Sequence, residues 1–220
     1  MRLPLILVVI AVAGWPASPV FSQELPTFAA LDSSDPITYF ISSGVAESKF
    51  RPTDGDLALW ALQAWERNSA GELRFVPGTE ATALLRVYWV PATFGLYGEM
   101  RPIVVDGRRG AAVYIRPDTD ALGEQIAQNA SADPLFRDAI VYLTCLHELG
   151  HALGLEHTAE FTDVMYFFGY GGDILGFFDR YRDALNSRDD IASLSGLSGG
   201  DLTQLQALYG ANGNKYSDSE

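Results

Sequence analysis

Residues 147–157 read H-E-L-G-H-A-L-G-L-E-H. His147 and His151 are four apart, so on an α-helix they stand one turn from each other on the same face. Two imidazoles so placed can bind one metal ion, and Glu148 between them can act as general base toward a water on it. Three residues after His151, Gly154 can leave the helix in a left-handed conformation that most residues avoid. The turned chain then brings His157 back as a third ligand. Three protein ligands with one position open to water distinguish catalytic zinc from structural zinc, which is closed by four. The chain has 3 histidines, all within this stretch. A buried amphipathic helix carrying incidental histidines would leave costly unpartnered imidazoles. Upstream, Pro134 marks a helix start. Leu135, Ala139, Tyr142, Leu143, Leu146, Leu149 and Leu153 then give an apolar face running into the motif.

These residues resemble the metzincin zinc peptidases, in which a methionine lies beneath the metal. Met165 fits that Met-turn, and Thr158, directly after His157, is similar to the matrixin type. The run L-S-G-G-D-L-T-Q-L-Q-A-L-Y-G at 197–210 looks like the end of a matrixin catalytic domain. The resemblance implies an α+β zincin-like fold over residues 36–210: a twisted mixed sheet, a long zinc-site helix and a C-terminal helix. It also implies one catalytic Zn²⁺ and peptide hydrolysis, with Glu148 as base and then as proton donor to the leaving amine. By analogy the substrate strand would pair with a sheet edge at Leu96, Tyr97, Gly98, Glu99, Met100 and Arg101. Acids near the place where matrixins bind Ca²⁺ are Asp118, Asp120 and Glu124; a solvated loop is the plainer reading, and calcium remains an alternative. Tyr166 and Tyr170 could face an oxyanion, but their spacing favours packing.

Several departures from the family pattern stand out. No cysteine occurs in residues 23–36, which excludes a cysteine switch, and no histidine is left for a second, structural zinc. The closing helix carries Gly200 where the family has a first acid, with Asp201 alone remaining. Phe167 replaces the usual proline two residues after the Met-turn methionine, so the wall of the specificity pocket is expected to differ.

The first 22 residues read as a secretory signal: Arg2, an apolar run from Leu3 to Ala13 interrupted only by Pro4, and small residues at Val20 and Ser22 for cleavage. The run is too short for a transmembrane helix, which needs ~20 residues. A secreted or periplasmic protein is expected, with no stable membrane insertion. Loss of residues 1–22 removes Arg2 alone, so 15 basic residues become 14 against 28 acidic ones, and the net charge goes from −13 to −14. That acidity disfavours nucleic acid and anionic membranes as partners. The partner expected is a polypeptide substrate, and the chain is expected to be a monomer. Cys145 is the only cysteine and reads as a small buried hydrophobe.

Along the chain, 23–35 is a polar lead-in and Ile37 to Ile41 a strand. Thr53 or Asp54 caps a helix whose stripe is Leu57, Trp60, Ala61, Ala64 and Trp65. Strands follow at Leu73 to Val76, Leu84 to Val90, Leu96 to Arg101 and Ala111 to Arg116, with a turn at Asp106-Gly107. In segment 166–198, Asp179 to Asp190 reads as a short surface helix. Ser198 caps a closing helix with Leu202, Leu205 and Leu208 as its apolar face, and 211–220 is a polar tail. Two rival functions are a zinc-bearing binding protein without turnover, which an intact Glu148 argues against, and a zinc amidase acting on a cell-wall peptide.

Overall fold

In the computed structural model, which describes residues 28–210, the β-branched and aromatic run Ile37–Ile41 forms strand β1. The expected leader, the first residues of the lead-in and the tail lie outside the described residues. Strand β1 pairs in parallel with β2 (Phe75–Pro77) on one side and β3 (Leu85–Trp89) on the other. Parallel neighbours need a long crossover, and α1 (Asp54–Asn68) supplies it between β1 and β2. Strand β5 (Arg108–Ile115) lies parallel to β3, and β4 (Gly98–Val105) runs antiparallel to β5. The sheet order is β2-β1-β3-β5-β4, which leaves β4 at an open edge.

Strand β4 differs from its expected form at both ends. It starts at Gly98, so Leu96 and Tyr97 lie ahead of it, and it runs through Pro102 to Val105. The proline is tolerated because Ala111, its partner in register, turns its own N–H to Leu84 O on the β3 side. Pro102 therefore stands where no ladder bond to β5 is asked of it, as prolines in strands do at sheet edges. Asp106 and Gly107 close the β4–β5 hairpin, with φ of 50° and 78°, the sign that a two-residue primed turn requires.

Helix α3 (Pro134–Ala152) is almost wholly buried between α1 and the sheet. Asp133 caps it, accepting the Leu135 N–H at 2.9 Å. The expected stripe of α1 is buried at Leu57, Ala61, Ala64 and Trp65, and the Trp65 indole donates to Leu146 O at 3.0 Å. Arg137 of α3 is ion-paired to buried Asp54 of α1 and lies 3.2 Å from Asp138, which in turn takes Arg188 at 2.9 Å. Such a buried network specifies how helices register more than it adds stability.

Helix α2 (Glu124–Ala132) occupies a stretch the sequence reading left unassigned. Helix α4 (Ile174–Arg182) straddles the aromatic and charged halves of the unclear segment and begins at Asp173, whose carboxylate accepts the Gly176 N–H. The surface helix expected at 179–190 is thus displaced toward the aromatic residues. Burying Phe177, Phe178 and Tyr181 outweighs the charge pattern that follows them. Helix α5 (Gly199–Tyr209) has the expected Ser198 cap with Asp201 in a capping box. Its buried row is Asp201, Leu205 and Tyr209 rather than Leu202, Leu205 and Leu208. The polar groups at 201 and 209 go inside because each has buried partners. No helix among the described residues is long and apolar enough to cross a membrane.

Candidate metal centre and substrate cavity

His147 and His151 ride on the last turns of α3. Gly154 then leaves the helix at φ +100°, and a side chain there would come within 2.6 Å of the Ala29 backbone. Glycine is thus required twice, for its dihedral angle and for the close approach of residues 29 and 30. The turn brings His157 back, and the ligand nitrogens of His147, His151 and His157 lie within 4.8 Å of one another.

The two helical imidazoles are oriented by backbone carbonyls. His147 Nδ1 is 2.7 Å from Val164 O, and His151 Nδ1 is 2.9 Å from Leu155 O. A carbonyl can only accept, so Nδ1 carries the proton in both rings and Nε2 presents a lone pair. His151 Nε2 and His157 Nε2 are 3.1 Å apart, close to the ~3.3 Å separation that two nitrogens on one tetrahedral zinc would have. Burial and the neighbouring imidazoles push His147 down to about 3. Burial chiefly pushes His151 down to about 4 and lowers His157 as well. All three are therefore neutral at pH 7, the form that binds metal. The donor set fits zinc.

Met165 is fully buried. A Cβ on Gly150 would collide with the Met165 sulfur, so that glycine lets the methionine lie directly against the ligand helix. The turn carrying Met165 is held from α5. Asp201 accepts the N–H groups of Val164 at 2.9 Å and Met165 at 3.1 Å, and that of Ser198 at 2.8 Å. The space that an acid at position 200 would fill holds the Asp163 carboxylate, 2.6 Å from where a Cβ on Gly200 would stand. Asp163 accepts the Ser198 hydroxyl at 2.6 Å. Residues 163, 198 and 201 so form a closed set.

Glu148 is buried beside the histidines. Burial, together with the like charge of Glu99, pushes it up to about 8, against the pull of the Met100 N–H. At that value the metal-free site keeps the carboxyl protonated at pH 7, and a cation held by the three imidazoles beside it would favour the ionised form that can accept a proton. Gly98 makes room for it, since a Cβ there would be 2.5 Å from Glu148 Oε1. The start of β4 therefore runs directly past this carboxylate. Arg101 grips both oxygens of Glu99, at 2.7 and 3.0 Å.

A cavity of about 490 Å³ opens beside the histidines. Its inner wall is apolar: Leu122, Leu143, Val164, Phe168, Phe177 and Phe178. The sequence reading missed this contribution of α4, although Ile174, Phe177, Phe178 and Tyr181 are spaced as one helix face behind Asp173 as cap. Phe167 is at the mouth, 4.7 Å from the His157 ring. Tyr166 donates its hydroxyl to Gly171 O at 3.0 Å, and Tyr170 is exposed, so both pack or face solvent. Phe28, also missed, stacks on His151. Cys145 is buried and free, and burial drives its thiol well up.

The calcium alternative is not supported. Lys49 places its ammonium 3.1 Å from Asp118 and 2.6 Å from Asp120, where a cation between these acids would stand. Glu124 is not with them and instead accepts the Gln128 amide at 3.1 Å.

The matrixin family model matches residues 27–172. No curated protein matches the chain significantly. With a five-stranded mixed sheet and five α-helices among the described residues, and three histidines that converge at one point, the chain belongs to the matrixins, a family of zinc-dependent metallopeptidases.

Proposed function

We propose that this chain is an exported endopeptidase that cleaves extended polypeptide beside a large apolar side chain. The observation that carries the reading is the pairing of two environments. Three neutral imidazoles turn Nε2 toward one point, and the buried Glu148 carboxylate stands beside them at the start of an open sheet edge. His147, His151 and His157 would hold zinc, which when bound acts as a Lewis acid toward water and the scissile carbonyl. Glu148 takes a proton from the attacking water and hands it to the leaving amine nitrogen. The free edge of β4 at Gly98 to Met100 offers unpaired backbone groups to an extended substrate. The adjacent cavity takes the apolar side chain. A linear edge of this kind favours polypeptide over the cross-linked substrates of a cell-wall amidase. Export rests on the leader-like residues 1–22.

The test is zinc content and cleavage of casein and quenched peptides, beside Glu148→Ala. About one zinc per chain in both, with cleavage in the wild type alone, is the expected result. Zinc in both and cleavage by neither refutes the endopeptidase reading and turns the search to binding partners.

A further inference from the structure

The three histidines are not held alike. His147 and His151 each have a carbonyl on Nδ1. His157 is exposed, and among the described residues no carbonyl holds its Nδ1, while its Nε2 faces that of His151. What flanks it is aromatic: Phe167 on one side, and Phe28 at 6.4 Å, edge to face at 75°. The same Phe28 ring lies 4.6 Å from His151, nearly parallel at 24°. A single hydrogen bond to Nδ1 leaves an imidazole free to swing about that bond, whereas a stacked ring fixes its plane.

The segment carrying Phe28 is tied down at several points. The buried Leu31 gives its N–H to Tyr209 Oη at 2.8 Å, and Tyr209 donates to Leu153 O, also at 2.8 Å, at the end of α3. Ala29 O accepts from Arg109 Nε at 3.2 Å, and Asp32 meets Arg108 at 3.4 Å on the β4–β5 hairpin. Ala29 and Ala30 lie against Gly154, at the turn between the second and third ligands. A connection that merely led into β1 would need none of this.

We propose that Phe28 is a positioning residue of the metal centre: stacked on His151 and edge-on to His157, it fixes the planes of both rings, and residues 28–32 form the strap that mounts it. The assignment rests on the zinc reading above. It predicts that an aromatic face is required at position 28 and that apolar bulk alone does not suffice. Hydrogen-bonded groups that orient metal ligands typically change metal affinity about 10- to 100-fold when removed, and a stacked ring that fixes the same orientation is expected to act at the lower end of that range.

The experiment compares the zinc-loaded wild type with Phe28→Ala, Phe28→Leu and Phe28→Tyr, by chelator competition, the visible spectrum of the cobalt-substituted protein and thermal melting. The expected result is zinc held about 10-fold more weakly and an altered cobalt spectrum in Phe28→Ala and Phe28→Leu. Both properties return in Phe28→Tyr, and the metal-stripped proteins melt together. Unchanged affinity and spectrum in Phe28→Ala overturn the proposal. So does a loss shared equally by Phe28→Tyr, or one that Phe28→Leu repairs, since the aromatic face is then not what matters. A wild type that binds no zinc refutes the metallopeptidase reading itself, which distinguishes the two failures.

Discussion

Asp201 links the closing helix to the metal site, and replacing it by asparagine isolates that link. The carboxylate accepts three backbone N–H groups: Val164 and Ser198 on one oxygen, Met165 on the other. It is fully buried, so no water can replace a lost partner. Asparagine keeps the shape. With its oxygen turned to Val164 and Ser198, its amide nitrogen faces the Met165 N–H, donor against donor. One bond to a charged acceptor is lost, and two others become bonds to a neutral one. Hydrogen bonds to charged groups are worth about 1.5–3 kcal/mol and neutral ones about 1, with a further cost for the unsatisfied donor, so the total is at least about 3 kcal/mol. At about 2–4 °C per kcal/mol for a domain of this size, melting should fall by at least about 6–12 °C. The site should feel it as well, because Val164 O is what orients His147. Zinc affinity by chelator competition should drop by about 10-fold. An Asp201→Asn protein that melts within about 2 °C of the wild type would sink the reasoning, for it would mean that these three bonds are not carried by charge.

Other consequences are as direct. Gly154→Ala adds a side chain where φ is +100° and the Ala29 backbone is 2.6 Å away. The dihedral alone costs about 1–2 kcal/mol, so melting should fall by at least about 2–4 °C with zinc affinity falling too; a neutral outcome in calorimetry would contradict the double role given to this glycine. Phe178→Ala should enlarge the cavity wall and move cleavage toward bulkier apolar side chains, scored on a peptide library; an unchanged profile would remove α4 from specificity. Millimolar calcium should leave the wild-type melting temperature unchanged, because Lys49 already meets Asp118 and Asp120; a clear rise would restore the calcium reading. Burial opposes the ionised form of Asp118, yet the Asp120 N–H and the Lys49 ammonium hold its pKa below the usual carboxylate value. Its contribution is therefore present at neutral pH and lost as pH falls below about 4. Wild type and Lys49→Gln should differ in melting at pH 7 and converge toward pH 3; a gap that widens in acid would reverse the assignment.

The metal ligands, the long helix, the exit glycine and the Met-turn were legible because each is a local demand. Spacing on a helix, a positive φ and a fixed offset in sequence can all be read from a single line of residues. The residues that orient those ligands were not legible, since they come from elsewhere in the chain. Nothing in the composition of residues 28–32 says that Phe28 will meet His151, 123 positions away. The sequence marks Ser198 as the cap, and Asp201 completes its capping box, but a cap bond looks the same whether or not a second segment shares the carboxylate. At β4, local rules pointed to a break at Pro102, and edge position overrode them. At α4 the charged residues drew attention to the exposed half, while packing was decided by the aromatic half.

Val164 shows how closely stability, metal geometry and specificity are bound together here. Its N–H is held by Asp201, its carbonyl orients His147, and its side chain lines the cavity. The carbonyl and N–H belong to the backbone, which any residue supplies, so the side chain is free to change the cavity without loosening the metal. Asp201 has no such freedom, because its only contacts in this set are the ones that hold the turn. The same division applies across the site. Positions that act through backbone groups, such as Leu155 and Val164, separate specificity from metal binding. Positions that act through a side chain, such as Asp201, or through the lack of one, such as Gly98, do not. A cavity wall built from the aromatic face of α4 can therefore change its shape while the three imidazoles and Glu148 stay where they are.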